Sequence, residues 1–417
     1  MYLQSLDLTN FRVFRNAKLK FLHADLKVTK TQPKPKYPNL NLVLGNNGAG
    51  KTTLLKAIAL TALGPAAGTS GIYPYRLVRR EPVPVGKSPT GDPIERALLS
   101  AKFRMHEQDH AEDKESGIMQ SAVAVVRNGD LEELQSVNHE RALWQPIYRE
   151  KSEAFFCVGY GANRRVETQK VDPSGRRTKE FVRATRVKGL FEDSHMLIPL
   201  NAWLPEFLKV NPGRYSQIKT LISNLLGSDR YLFTAELEDG EYLFERDGLR
   251  VPFPALSDGY RAYLGWIGDL LYHVTQTCPP GKKLIDNKGI ILVDEIDLHL
   301  HPKWQMTVLP TLARELPNIQ FVVTSHSPLV ASSLEPENIL LMSAGPKHTA
   351  KPQRLDRSIH GLDADQVLLT EYFGLKTTRA GGKSQRLKEL TLKARGGDAK
   401  AALQLLTELS GGQEAAT

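Results

Sequence analysis

Short runs of apolar residues recur along the chain and predict buried strands of a parallel sheet. One run, residues 40–44, leads into a glycine-rich segment. A second, residues 289–293, ends in two adjacent carboxylates. A third, residues 320–324, ends in a serine and a histidine. Because parallel strands present their carboxyl ends at one edge of a sheet, we expect these polar groups to lie close together.

Between and after these runs, apolar residues recur at helical spacing. The pattern predicts helices over residues 53–60, 215–226 and 263–274, and an amphipathic helix over residues 384–409. Alternating residues predict antiparallel strands over residues 96–105 and 119–126. Strands that alternate with helices favour an α/β fold.

Changes in composition along the chain suggest five segments. A first lobe that carries the glycine-rich segment (1–64) is followed by an antiparallel strand subdomain (65–165) and a basic and helical insertion (166–229). A lobe with the paired acids and the histidine (230–345) precedes a helical C-terminal tail (346–417). No run of heptads that would predict a long coiled-coil arm occurs between the glycine-rich segment and residue 257.

The segment from Gly45 to Thr52 fits the phosphate-binding pattern G-x-x-x-x-G-K-[ST]. The strand before it and the helix after it provide the required context, since backbone N–H groups and a helix N-terminus then face a phosphate chain. A glycine-rich turn before an ordinary helix is the alternative. We expect Lys51 to face the β- and γ-phosphates of ATP and Thr52 to bind Mg²⁺. The predicted nucleotide-binding residues here are Asn46, Asn47, Gly48, Ala49, Gly50, Lys51, Thr52 and Thr53.

The paired acids supply the groups that hydrolysis needs. Asp294 ends its strand and is expected to hold Mg²⁺ with Thr52, while Glu295 is positioned to take a proton from the attacking water. Capping of the next helix is the other interpretation of such acids. His326 ends the next strand, where it could hydrogen-bond the γ-phosphate or serve only a structural role.

Further motifs gain meaning from their positions relative to the phosphate-binding pattern, the paired acids and His326. L-S-D-G-Y, which contains Ser257 and Gly259, resembles the signature motif of ABC-type ATPases. The N-terminal N-F-R-V-F resembles the turn that opens such heads, and there the resemblance places Arg12 near the phosphates. D-L-H-L-H-P, which begins at Asp297, resembles their D-loop. The loop of residues 160–164 resembles their lobe-connecting loop but has no glutamine.

These motifs together resemble the ABC-class ATPase heads of SMC, RecF-like and OLD-family proteins, and in particular defence-associated ATPases such as the Septu ATPase subunit. The resemblance implies an ABC-type P-loop NTPase head with an inserted α+β and helical lobe. It implies ATP and Mg²⁺ as cofactors, catalysis by Glu295 and His326, and a D-loop role for Asp297. Ser257 and Gly259 are expected to act in trans in a homodimer or higher oligomer. It also implies a separate effector, expected to be a nuclease, and a role in anti-phage defence.

Composition and short patterns bear on whether the chain is a membrane protein, a secreted protein, a transporter subunit or a nuclease. The chain has 417 residues, lacks a run long enough to span a membrane, and begins with a strand pattern rather than a signal peptide. Its two cysteines fit packed thiols in a reducing cytoplasm. An ABC transporter subunit is disfavoured because the connecting loop lacks its glutamine. D-x-D at residues 363–365 suggests a metal-dependent nuclease, but its spacing fits a helix cap better.

The charge balance leaves a second function open. The net charge is +9, and nine basic residues face three acidic ones between residues 164 and 188. Such a stretch is either a solvated loop or a phosphate-binding surface. If it binds nucleic acid, a RecF-like DNA-repair ATPase is the alternative function. The candidate nucleic-acid contacts are Arg164, Arg165, Arg176, Arg177 and Lys179.

Overall fold

The computed structural model describes residues 1–26, 35–81, 94–109, 117–149, 151–166, 181–227, 231–377 and 381–409. The chain forms two compact units, Met1–Gly361 and Leu362–Thr417. The strands are β1 (Tyr2–Phe11), β2 (Phe14–Lys20), β3 (Leu40–Gly45), β4 (Arg96–Arg104), β5 (Ile118–Asn128), β6 (Leu131–Val137), β7 (Cys157–Tyr160), β8 (Arg165–Val166), β9 (Met196–Leu197), β10 (Leu232–Glu238), β11 (Glu241–Arg246), β12 (Leu249–Pro252), β13 (Gly289–Val293), β14 (Ile319–Thr324), β15 (Ile339–Gly345) and β16 (Thr349–Gln353).

The α-helices begin with α1, which follows the glycine-rich loop. They are α1 (Lys51–Leu63), α2 (Arg141–Trp144), α3 (Val182–Thr185), α4 (Leu200–Val210), α5 (Pro212–Leu226), α6 (Asp258–Thr277), α7 (Pro302–Glu315), α8 (Pro328–Ser332), α9 (Ala364–Leu368), α10 (Gly381–Arg395) and α11 (Ala399–Leu409). Within the described residues, none of these helices is both long and apolar enough to cross a membrane.

The central sheet has the order β16-β15-β3-β14-β13-β7. Strands β15, β3, β14, β13 and β7 pair in parallel, and β16 adds an antiparallel edge. The three runs singled out in the sequence are therefore neighbours: β3 pairs with β14, and β14 with β13. This arrangement confirms the α/β P-loop fold expected of an ABC-type head, and it brings the three strand ends to one edge.

An antiparallel sheet, β2-β1-β4-β5-β6, lies on the other side of α1. Helix α1 is buried along nearly its whole length, because apolar residues from both sheets cover it. The first residues of α1 are thus held rigidly at the edge of the central sheet. Rigid placement of this helix is what fixes the lysine and threonine of the phosphate-binding pattern.

Helices α4, α5, α6 and α7 pack together beside the small sheet β10-β11-β12. The structure extends the predicted helix over residues 263–274 to α6, which begins directly after Ser257. The strand β16 belongs to the central sheet, although the sequence placed its residues in the C-terminal tail.

The second unit, described by itself, differs from its prediction in one respect. The expected single helix over residues 384–409 is two helices, α10 and α11. Gly396 and Gly397 end the first helix, with Gly397 at a φ of 93°. Asp398 then caps the second, because its Oδ1 accepts from the Ala401 N–H at 3.1 Å.

Candidate nucleotide-binding site

The phosphate-binding loop joins β3 to α1 and is shaped by its glycines. Gly50 has a φ of 94°, and a Cβ there would lie 2.5 Å from Val13 Cγ2. Only glycine fits this position without displacing the turn between β1 and β2. Asn46, Asn47 and Gly48 are exposed at the tip of the loop, while Ala49 and Gly50 are half-buried and Thr53 is buried.

Lys51 lies at the start of α1 and is already held by the loop. Its ammonium donates to the carbonyls of Gly45 at 2.8 Å and Asn46 at 3.3 Å, and to His326 Nε2 at 2.7 Å. Burial lowers the pKa of Lys51, and the carboxylates of Asp294 and Glu295 oppose that effect. The loop therefore keeps a cation beside its own carbonyls and the sheet edge.

Thr52 and Asp294 meet as the sequence predicts. The Thr52 hydroxyl donates to Asp294 Oδ2 at 2.6 Å. The other carboxylate oxygen, Oδ1, accepts from the Thr324 hydroxyl at 2.6 Å. A hydroxyl and a carboxylate oxygen this close are donors of the kind that Mg²⁺ prefers, so the residues present fit the expected ion.

Thr324, which the sequence analysis did not single out, lies between the two acids. Besides donating to Asp294, its hydroxyl accepts from the Glu295 N–H at 2.7 Å. It therefore fixes both acids through one buried oxygen. Its place beside the acids follows from the pairing of β13 with β14, which the position of Thr324 along the chain does not reveal.

Glu295 is half-buried at a sharp turn. Its φ is 48°, in the left-handed region that is uncommon for a residue with a side chain. The adjacent peptide groups are hydrogen-bonded. The Asp294 N–H donates to the Tyr160 carbonyl at 2.8 Å, and the Ile296 N–H donates to the Thr324 carbonyl at 2.9 Å. These hydrogen bonds fix the main chain on both sides of Glu295.

His326 lies at the same edge and contacts Lys51. Burial lowers the pKa of His326, and the nearby Lys51 charge lowers it further. The neutral ring accepts from the ammonium through Nε2, and its backbone N–H donates to Asp297 Oδ1 at 3.4 Å. We call the set Lys51, Thr52, Asp294, Glu295 and His326 the nucleotide edge.

Arg12 lies in the exposed turn between β1 and β2, beside the loop through Val13. Its φ is 48°, and its main chain is fixed by the Leu77 carbonyl at 2.9 Å and the Arg79 guanidinium at 3.1 Å. Burial lowers the pKa of Lys56, which lies on α1, and the charge of Arg12 lowers it further. A second cation therefore sits near the nucleotide edge.

Ser257 and Gly259 lie at the start of α6, in a cleft of about 400 Å³ that we call the signature cleft. The side chain of Ser257 is exposed and makes no capping hydrogen bond to α6. The residues that line this cleft are Arg246, Ser257, Gly259, Tyr260, His299, His301, Lys303 and Trp304.

The basic segment separates into different kinds of residue. The guanidinium of Arg164 donates to the carbonyls of Asp294 at 2.6 Å and Glu295 at 2.9 Å, so it lies beside the paired acids, and its contact with nucleic acid stays a prediction. Main-chain carbonyls already occupy it. Arg165 is exposed. Arg176, Arg177 and Lys179 lie outside the described residues.

Two protein-family models match the chain. One, described as "AAA domain", covers residues 5–88 and so includes the phosphate-binding loop. The other, described as "AAA domain, putative AbiEii toxin, Type IV TA system", covers residues 170–332, which include the paired acids and His326.

Curated relatives point to defence systems. The chain is 24% identical to the Septu protein PtuA of Bacillus mycoides over 377 residues, 90% of this chain and 45% of that protein. It is 37% identical to the retron Ec83 probable ATPase of Escherichia coli over 110 residues, 26% of this chain and 20% of that protein. The chain thus spans less than half the length of these relatives. The chain is therefore similar to a Septu protein and to proteins named as probable retron ATPases.

Solved structures of SMC heads also align with the chain. The SMC head domain from Thermotoga maritima is 14% identical with a TM-score of 0.47, and the alignment covers 86% of this chain and 100% of that one. An SMC head bound to the C-terminal winged-helix domain of ScpA is 16% identical with a TM-score of 0.49, covering 85% of this chain and 98% of that one.

Proposed function

We propose that this chain binds ATP at the nucleotide edge and hydrolyses it to ADP and phosphate. The observation that carries the proposal is the 2.6 Å contact between the Thr52 hydroxyl and Asp294, which joins the phosphate-binding loop to the paired acids. Mg²⁺ bound there would neutralise charge on the phosphates. Lys51 leaves the loop carbonyls for the β- and γ-phosphates, which offer it stronger acceptors.

Glu295 is the general base of the proposed reaction. A water attacks the γ-phosphorus and transfers a proton to the Glu295 carboxylate, and the bond from phosphorus to the bridging oxygen breaks. ADP leaves with that electron pair. The turn that Thr324 and the Tyr160 carbonyl secure keeps the carboxylate in place. His326 hydrogen-bonds the γ-phosphate through its neutral ring.

We propose further that two chains share two nucleotides. The exposed, uncapped hydroxyl of Ser257 is free to donate to an outside acceptor, and α6 points its N-terminus at the same cleft. None of residues 46–53, all of which are described, lines the signature cleft. Ser257 and Gly259 therefore complete the site of a facing subunit in an isologous pair. Asp297 ties His326 to that interface.

In the cell, the dimer acts as a switch on a separate effector, a nuclease, in anti-phage defence. The likeness to Septu PtuA and to retron ATPases supports this role. Its test expresses the chain with the genes encoded beside it and challenges the cells with phage. Protection that disappears in Lys51→Ala supports the switch, whereas protection that Lys51→Ala leaves unchanged contradicts it.

A RecF-like ATPase that binds DNA directly is the second candidate, and the exposed Arg165 and the net charge of +9 favour it. Its test replaces Arg165, Arg176, Arg177 and Lys179 with Ala and follows binding to duplex DNA against salt. Each lost phosphate contact should reduce the log–log slope by roughly 0.9. No binding by the wild type at low salt would remove this candidate.

A further inference from the structure

Residues 160–166, which we call the coupling segment, hold the main chain of the paired acids. The carbonyl of Tyr160 accepts from the Asp294 N–H at 2.8 Å. The Arg164 guanidinium donates to the Asp294 carbonyl at 2.6 Å and to the Glu295 carbonyl at 2.9 Å. It also donates to the Gly161 carbonyl at 3.2 Å, which closes the segment on itself. A displacement of the turn that carries Glu295 therefore reaches this segment directly.

The same segment also contacts α6, which we call the signature helix because Ser257 and Gly259 lie at its start. The Tyr160 hydroxyl donates to Asp269 Oδ2 at 2.8 Å, in the middle of α6. The Arg164 guanidinium lies 6.0 Å from the centre of the Trp266 ring. Val166 packs so closely that a Cβ on Gly265 would lie 2.0 Å from its Cγ2. Three neighbouring residues of α6 thus contact one short segment.

The bond between Tyr160 and Asp269 is suited to carry a displacement. Both side chains are buried, and the other carboxylate oxygen accepts from the Ile198 N–H at 2.8 Å. Burial raises the pKa of Asp269 to about 6, so the group is a carboxylate above that pH and accepts both hydrogen bonds. Hydrogen bonds to a buried charge are strong and costly to break, so α6 follows Tyr160.

We propose that the coupling segment transmits the state of the nucleotide edge to the signature helix, with Tyr160 and Arg164 as the positioning residues. The inference rests on nucleotide binding at the proposed site. When nucleotide binds at the nucleotide edge, the turn that carries the two acids shifts, Arg164 and Tyr160 move with it, and α6 follows. Ser257, at the N-terminus of α6, then adopts the position in which a facing subunit's nucleotide can bind. This loop has no glutamine, and its arginine and tyrosine make the connection.

Hydrogen exchange of α6 tests the proposal without relying on hydrolysis or on dimer formation. The probe is a non-hydrolysable ATP analogue with Mg²⁺, added to the full chain at a concentration that keeps the protein monomeric. In the wild type, the analogue should slow exchange in peptides from α1 and in peptides from α6. A slowing of α6 by about fivefold or more corresponds to a typical coupling between two sites.

Tyr160→Phe removes the hydroxyl and keeps both the ring packing and the main-chain bond to Asp294. The matched control is Tyr263→Phe, since the Tyr263 hydroxyl is also buried on α6 but donates to the Leu225 carbonyl at 3.0 Å. We expect Tyr160→Phe to keep the slowing at α1 and to lose most of the slowing at α6. Tyr263→Phe should keep both.

Arg164→Lys provides an independent variant, because a lysine reaches one carbonyl where the guanidinium reaches three. Its control is Arg183→Lys. The Arg183 guanidinium also donates to main-chain carbonyls, including those of Ile147 at 2.8 Å and Ser152 at 2.9 Å, but these lie away from the paired acids. Arg164→Lys should lose part of the slowing at α6, and Arg183→Lys should lose none.

The outcomes separate this inference from the proposed function. If the analogue slows α1 but not α6 in the wild type, or if Tyr160→Phe retains the slowing at α6, the inference is wrong while nucleotide binding stands. If the two tyrosine variants lose it equally, the bond is only structural, which also overturns the inference. If the analogue slows neither helix in the wild type, the proposed nucleotide site itself fails.

Discussion

The nucleotide edge and the signature cleft, the two halves of the proposed shared site, are built differently. At the edge, Lys51, Thr52 and Asp294 are buried or half-buried and already hydrogen-bonded to partners in the same chain. At the cleft, Ser257 is exposed and makes no capping bond. The side chains of the edge thus already have hydrogen-bond partners within the chain, whereas the cleft presents a hydroxyl and a helix N-terminus to an outside acceptor.

The difference has an energetic reason. Phosphate transfer gains most from donors and acceptors that are fixed beforehand, since no reorganisation is then needed during the reaction. A surface that completes a neighbour's site must instead remain solvated until the neighbour arrives. The comparison therefore predicts catalytic defects from changes at the edge, and assembly defects from changes at the cleft.

The largest effect is expected from Glu295→Gln, which breaks the edge chemically without changing its shape. The amide cannot accept the proton from water, so turnover should fall by ~10²–10⁴-fold while ATP binding persists. Steady-state phosphate release and nucleotide titration measure the two quantities. Glu206→Gln, a change of an exposed acid on α4, should alter neither. Wild-type turnover by Glu295→Gln would show that another group is the base.

Mixing two inactive variants joins the edge of one chain to the cleft of another. Lys51→Ala removes the edge of its own subunit, and Ser257→Arg blocks the cleft of its own subunit. A mixed pair keeps one intact composite site, so an equal mixture should recover about a quarter of wild-type ATPase activity if pairing is random. Sedimentation or light scattering checks that the two proteins associate. An associated mixture without activity, or a strictly monomeric wild type with full activity, contradicts the shared site.

The sequence was sufficient for the edge because local patterns specify it. The loop pattern, the acids after β13 and His326 after β14 each follow a buried strand, and parallel strands must bring such ends together. Thr324 was not singled out, and Arg164 was named only as a candidate nucleic-acid contact, for a different reason. Their roles depend on hydrogen bonds across neighbouring strands and on main-chain carbonyls, which no spacing along the chain reveals.

The cleft was predicted less completely. Ser257 and Gly259 were recognised from the motif and lie at the start of α6. His299, His301 and Lys303 join them only because α7 begins beside α6 in three dimensions. Likewise, Arg164 belonged to a basic run, and only the fold shows that it is occupied by the carbonyls of the acids.

A pH-dependent change in stability is expected from Asp269, which anchors the helix that carries the cleft. Its folded pKa of about 6 exceeds its ordinary value of 3.8. Its contribution to stability is therefore complete below about pH 4 and is lost as the pH rises through 6, by up to about 3 kcal/mol.

The control is Asp269→Asn, which does not titrate at this position but retains the neighbouring Tyr160 and His273. The difference in unfolding free energy, wild type minus variant, should fall between pH 4 and pH 7. Urea unfolding followed by tryptophan fluorescence measures it at each pH. A difference that stays constant with pH would show that Asp269 titrates near its ordinary value.

The smallest effect is expected from Thr324→Val, which tests how much the fixed geometry of the edge contributes. Valine has nearly the shape of threonine, so the substitution removes only the hydroxyl that joins Asp294 Oδ1 to the Glu295 N–H. Both buried groups lose a partner, and turnover should fall about tenfold with little change in nucleotide affinity. Thr61→Val is the matched control, because its buried hydroxyl bonds to Ala57 and Ile58 carbonyls within α1. Equal turnover in the two variants would mean that Thr324 only stabilises the fold; a tenfold loss confined to Thr324→Val would show that the edge depends on both acids being held by one oxygen.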